Sequence, residues 1–151
     1  MRKNRYGRKK NHRGRAEGYK SGFEKDIGDF LKSIKKKQKI KFSYETMKIA
    51  YTIPESLHTY TPDWIIVLPN KEVLIIETKG RFVTKDRQKH LLIQEQFPDL
   101  DIRFIFGRDT KLNKNSRTLY SDWCKKNGFL YHIGKEVPLV WLIQQDENKK
   151  Q

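Results

Sequence analysis

The chain has 151 residues, 36% hydrophobic and 34% charged, and its 33 Lys and Arg against 18 Asp and Glu leave a net charge of +15. That length suits one domain with a modest core, and so large a charge opposes compaction unless a polyanion offsets it, which makes nucleic acid the first expected partner. Cys124 is the single cysteine, which excludes an intrachain disulfide, and no apolar run approaches the ~20 residues of a membrane-spanning helix. The basic N-terminus lacks the apolar stretch of a secretory signal, so an intracellular protein is expected.

Residues 1–20 carry nine Lys or Arg (Arg2, Lys3, Arg5, Arg8, Lys9, Lys10, Arg13, Arg15 and Lys20) and one acid, Glu17, a balance of +8. With little apolar to bury, this segment is expected to be a disordered DNA-binding tail. Phe23, Ile27, Phe30, Leu31 and Ile34 then recur at helical spacing. Ser21 is the expected N-cap, and the Lys35–Lys41 run matches the negative end of the helix dipole. Phe42–Ile53 reads as one extended stretch ending at Pro54. A hairpin follows, with strands before and after Pro69-Asn70-Lys71. Thr84–Phe97 reads as a helix capped by Thr84 and stopped by Pro98. "DIRFIFG" reads as a strand, "TLYSDWCKKNG" as a helix ended by Gly128, and "DENKKQ" as a frayed end. The sum is a single mixed α/β domain over 21–145, in the order helix, three strands, helix, strand, helix, with 146–151 frayed.

The hairpin carries the chemistry. Asp63 opens its first strand; Glu77 and Lys79 close its second and share a face, being two apart. Asp63 joins that face if the loop has an odd count, as Pro69-Asn70-Lys71 would give, and faces away if the count is even. Two carboxylates at a strand edge are oxygen ligands for a hard divalent cation. Such a metal can polarise a phosphodiester, and two ions about 4 Å apart can stabilise both attacking and leaving oxygens. The competing account is an ordinary strand-end ion pair and a turn aspartate. Glu24 is a possible third carboxylate, although Ser21-x-x-Glu24 is equally a capping box; Glu17 and Asp26 are its rivals. Arg81, Lys85, Arg87 and Lys89, beyond the hairpin and on the next helix, are candidate DNA contacts. His58 and His90 are expected to be solvated, Trp64 and Trp123 to pack in the core, and Cys124 to be half-buried.

At "SGFE", "HTYTPDW", "ETKG", "DRQKHLLIQEQFPDLDIRFIF" and "TKL" the chain resembles the endonuclease I of bacteriophages, Holliday-junction resolvases of the PD-(D/E)xK nuclease superfamily. The resemblance runs from Ser21 to about Gly128. It implies a Mg²⁺-dependent endonuclease, with Mn²⁺ as a substitute and two ions per site, that makes paired nicks in four-way and other branched DNA. It implies Glu24, Asp63, Glu77 and Lys79 as catalytic residues, with Glu24, Asp63, Glu77 and the Thr78 carbonyl as metal ligands. It also implies a PD-(D/E)xK fold, an intertwined homodimer in which Glu24 is exchanged between subunits, and action in the cytoplasm of a bacterial host. The hairpin between Asp63 and Glu77 is longer than the family form by an even number of residues, a change that keeps the strand faces. Two other expectations compete with this one: a different nuclease of the superfamily, or a non-enzymatic basic module.

Overall fold

A computed structural model describes residues 15–53 and 56–143 of the chain. Arg2, Lys3, Arg5, Arg8, Lys9, Lys10 and Arg13 lie outside the described residues, as do Pro54 and the end expected to fray. The elements in chain order are α1 (Gly22–Ile34), β1 (Lys41–Tyr44), β2 (Ile49–Ile53), β3 (Ser56–Tyr60), β4 (Trp64–Val67), β5 (Val73–Lys79), α2 (Thr84–Gln96), β6 (Asp101–Phe106), α3 (Tyr120–Asn127) and β7 (Leu130–Ile133), with single 3₁₀ turns at Arg15–Glu17 and Leu139–Trp141.

One five-stranded sheet runs β1-β4-β5-β6-β7, and β2 and β3 form a separate two-stranded sheet. The pairs β1/β4 and β4/β5 are antiparallel, while β5/β6 and β6/β7 are parallel. β5 lies at the centre and is covered on both faces, so it reads as a continuous apolar run rather than an alternation. Leu74 and Ile76 pack with Ile27, Leu31, Trp64 and Ile66 beneath α1. Ile75 packs on the other side with Ile93, Phe104, Phe82 and two residues of the two-stranded sheet, Tyr51 on β2 and Tyr60 on β3.

α1 forms as its stripe requires. Ser21 is extended, and its hydroxyl accepts the Glu24 N–H at 3.1 Å. Ile27 and Leu31 are fully buried, and Phe23, Phe30 and Ile34 flank them. Gly28 sits where the helix touches two rings: a Cβ there would lie 2.3 Å from the Tyr19 hydroxyl and 2.9 Å from the Trp64 ring. In an open helix Gly→Ala gains about 1 kcal/mol, but here overpacking, typically 1–3 kcal/mol, dominates. Gly28→Ala is therefore expected to lower the urea midpoint; a raised midpoint would show that Tyr19 yields without cost.

Four local expectations are corrected. Five strands, not three, precede α2. Phe42–Ile53 breaks at Glu45, which takes a left-handed φ of 48°, and β3 was missed because four of its five residues are exposed and show no alternation. Thr84 is the first helical residue of α2, and Val83 is its cap. Tyr19, assigned to the tail, is buried against Trp64, with centroids 5.4 Å apart. Trp64 and Trp123 are core residues as expected. Cys124 is wholly buried rather than partly so, and burial pushes its thiol up to about 12, which leaves it unreactive at neutral pH.

Candidate active site

The turn decides the site. Leu68 N–H donates to the Glu72 carbonyl at 2.9 Å across Pro69-Asn70-Lys71, with Lys71 at φ 71° and the Asn70 side chain accepting the Glu72 N–H at 3.0 Å. The loop is odd. The register Trp64↔Ile76, Ile65↔Ile75, Ile66↔Leu74, Val67↔Val73 then sets Asp63 opposite Glu77. Asp63, Glu77 and Lys79 meet at one end of the sheet, where β4 begins and β5 finishes.

Their contacts are close. Lys79 Nζ lies 2.7 Å from Glu77 Oε2 and 4.0 Å from Asp63 Oδ2. Thr78 donates both its N–H, at 2.8 Å, and its hydroxyl, at 3.0 Å, to Asp63 Oδ2. Glu77 is buried, and Asp63 and Lys79 keep 18% and 14% of their side chains exposed, so solvent reaches the site from their side. Burial opposes ionisation of Glu77, but Lys79 and then His90 outweigh it and hold the carboxyl well below its usual range. Burial, followed by the Glu77 charge, pushes Asp63 up to about 7. Burial alone would lower Lys79, yet Glu77 and Asp63 raise it above the usual lysine range, so it stays an ammonium.

Glu24 lies at the same end of the sheet. Tyr44, which pairs with Trp64 beside Asp63, donates its hydroxyl to Glu24 Oε2. The Lys20 N–H donates to the same oxygen at 3.0 Å, and the Ser21 hydroxyl donates to Oε1 at 3.0 Å. Glu24 therefore caps the helix through Lys20 and the Ser21 hydroxyl, and its charge reaches Asp63, whose pKa it raises. The rivals are engaged elsewhere: Glu17 with Lys25 at 3.1 Å, Asp26 with Lys135 at 3.3 Å.

The family model for phage endonuclease I matches residues 3–150. The chain belongs to the phage endonuclease I family. It is 45% identical over 125 residues to "Endonuclease I" of Escherichia phage T7, covering 82% of this chain and 78% of that protein. It is 48% identical over 123 residues to "Endodeoxyribonuclease 1" of Enterobacteria phage T3, covering 81% and 75%.

Two further residues contact this cluster. Tyr60 is buried and donates its hydroxyl to Glu77 Oε1 at 2.6 Å. His90, expected to be solvated, is fully buried; its Nδ1 lies 2.8 Å from the Asp86 carbonyl and its Nε2 3.4 Å from Glu77 Oε2. The available signal was α2's weak apolar pattern: with Leu91 37% exposed, the helix turns His90 and Ile93 inward instead. Among the candidate DNA contacts, Arg15, Arg81 and Lys85 are exposed. The Arg87 guanidinium donates to the Phe82 carbonyl and to Thr84 Oγ1, and Lys89 lies over the Tyr60 ring at 5.3 Å.

Among the described residues, no three His, Cys, Asp or Glu side chains form a ready-made metal cage. Mg²⁺ does not require one, since it commonly binds through one or two carboxylates and retains water. The donors at this end of the sheet are carboxylate oxygens, and Asp63 is held up first by burial and then by the Glu77 charge, both of which a bound cation would offset. The residues fit a hard divalent cation.

Proposed function

We propose that the chain is a structure-selective DNA endonuclease of PD-(D/E)xK type that resolves four-way (Holliday) junctions and other branched DNA by Mg²⁺-dependent phosphodiester hydrolysis, giving paired nicks. One observation carries this: the three-residue turn sets Asp63 opposite Glu77, with Lys79 bonded to it at 2.7 Å. Asp63, Glu77, the Thr78 carbonyl and Glu24 would hold the metal, two ions per site, with Mn²⁺ as a substitute. When bound, Mg²⁺ supplies polarisation of the scissile phosphate and a more acidic water.

The chain's own groups do the rest. Lys79, charged at neutral pH, offsets negative charge building on the phosphate and orients the attacking water. Thr78 fixes Asp63 through two hydrogen bonds. Arg2, Lys3, Arg5, Arg8, Lys9, Lys10, Arg13, Arg15, Arg81, Lys85, Arg87 and Lys89 are proposed phosphate contacts. They favour DNA without reading its sequence, so affinity falls with salt. No helix among the described residues is long and apolar enough to cross a membrane, and the proposed place of action is the cytoplasm of the bacterial host. The test is a four-way junction and a matched linear duplex, each with and without Mg²⁺. Paired nicks in the junction, only with Mg²⁺, are expected. Sequence-specific cutting of the linear duplex would favour a restriction-type enzyme, and no metal-dependent cutting would leave only a binding module.

The proposal includes an intertwined homodimer. In the single chain α1 covers the chain's own sheet and β1 forms an edge strand of it. They join it through Glu45–Lys48, four residues outside any strand that begin with the left-handed Glu45. Straightening that link would send α1 and β1 to a partner without changing the contacts they make. Two sites related by a two-fold axis suit symmetric cutting of two strands. A purified heterodimer of Glu24→Ala with Asp63→Ala separates the cases. If subunits exchange, one site carries both lesions and the other none, so nicking returns to about half the wild-type level. If they do not, both sites are damaged and the heterodimer stays inactive.

A further inference from the structure

Glu77 is held from outside its own sheet. Its Oε1 accepts the Tyr60 hydroxyl at 2.6 Å and the Asp63 N–H at 3.3 Å, while Oε2 faces Lys79 at 2.7 Å and His90 at 3.4 Å. Tyr60 is the last residue of β3, and β3 pairs only with β2 in the two-stranded sheet. The residue is 1% exposed; its ring packs edge-on against His90 at 5.5 Å and has the Lys89 ammonium over its face at 5.3 Å. A tyrosine needed only for packing could leave its hydroxyl at the rim. This one spends its single O–H on a buried carboxylate, a charge-assisted bond among the stronger kinds. A phenol ordinarily keeps its proton in the neutral range, so Tyr60 is the donor in this bond.

We propose that Tyr60 is a positioning residue for Glu77: its hydroxyl fixes the carboxylate plane from the β2–β3 hairpin, so the seating of that hairpin sets which lone pairs Glu77 turns toward the metal. The inference rests on the reading of Glu77 as a metal ligand. Groups that orient metal-ligating carboxylates commonly change metal affinity by about 10- to 100-fold when removed. The link also ties the site to the segment that follows Glu45–Lys48, because β2 begins at Ile49.

The test is Tyr60→Phe in the full chain, which removes one oxygen and keeps the ring. Mn²⁺ binding without DNA is measured by calorimetry, alongside kcat and KM on a junction. Tyr51→Phe, on the neighbouring strand and with its ring in the same cluster, controls for the loss of a hydroxyl from the hairpin. Tyr60→Phe is expected to weaken Mn²⁺ binding about 10- to 100-fold and lower kcat, with KM and junction binding in EDTA within about two-fold. Tyr51→Phe is expected to match wild type. Wild-type Mn²⁺ affinity in folded Tyr60→Phe overturns the proposal, and so does an equal loss in Tyr51→Phe. If Asp63→Ala binds Mn²⁺ as well as wild type does, the reading of the metal site itself fails, and Tyr60 has no ligand to position.

Discussion

Lys79→Ala is expected to lower cleavage of a four-way junction by about 10²- to 10³-fold, the range for loss of one preorganised charge-stabilising group, while junction binding in EDTA changes little. Glu77→Ala should do the same. The argument turns on the charge state of Lys79. Glu77 and Asp63 raise its pKa against the effect of burial, so at neutral pH it has no lone pair to take a proton from water. On the proposed function its contribution is therefore electrostatic, and glutamine in its place should rescue little. Stability should also respond. Removing Lys79 leaves the buried Glu77 carboxylate without its closest cation, and breaking a buried pair from one side typically costs 3–5 kcal/mol. Replacing both partners by neutral groups avoids that uncompensated charge. Glu77→Gln/Lys79→Met is therefore expected to be as inactive as either single variant yet more stable than Lys79→Ala, a non-additivity that contacting residues show. A Lys79→Ala enzyme that cuts within ten-fold of wild type would remove Lys79 from the mechanism.

The hairpin was legible because strand geometry is a parity problem. Once Pro69-Asn70-Lys71 is taken as the turn, two-residue alternation places Asp63, Glu77 and Lys79 without knowledge of the rest of the fold. α1 was legible for a similar reason: a stripe at helical spacing behind a serine cap leaves little choice. The breaks came where long-range contacts overrule local pattern. Nothing in "FSYETMKIAYTI" marks Glu45 as the residue that turns; its N–H bonds to the Asp63 carbonyl at 3.1 Å, 18 residues away in sequence. His90 sits in a helix whose leucines suggest a different inner face. Only the packing of α2 over Phe104, whose ring lies 4.9 Å from His90, turns the histidine inward. Tyr60 lay three residues before Asp63 and looked like one more strand aromatic. Its role depends on a separate two-stranded sheet folding over the edge of the main one, which no local periodicity encodes.

Asp63→Asn is expected to make the metal-free protein more stable at pH 8 while removing its activity. The folded chain holds the Asp63 carboxyl at about 7, because it is buried and faces Glu77, against about 3.9 in an unfolded chain. Between those values the folded state binds the proton more tightly, so this group's contribution to stability is fully present below about pH 4. It is lost as pH rises toward 7. At pH 8 the folded protein carries the full penalty of a charged Asp63, on the order of 1–4 kcal/mol at 1.36 kcal/mol per pKa unit. Asparagine keeps the shape and leaves an oxygen to accept the two Thr78 bonds, but it has no charge to bury. Melting curves in EDTA should show Asp63→Asn above wild type at pH 8, with the gap shrinking at pH 6 and closing near pH 4. Added Mg²⁺ should reverse the order, because a cation bound at Asp63 stabilises only the protein that retains the carboxylate. Equal melting at pH 8, or a gap that widens toward acid, would show that Asp63 is not held in an unfavourable charge state. On the proposed function, the same burial that destabilises the empty carboxylate would strengthen its hold on a divalent cation.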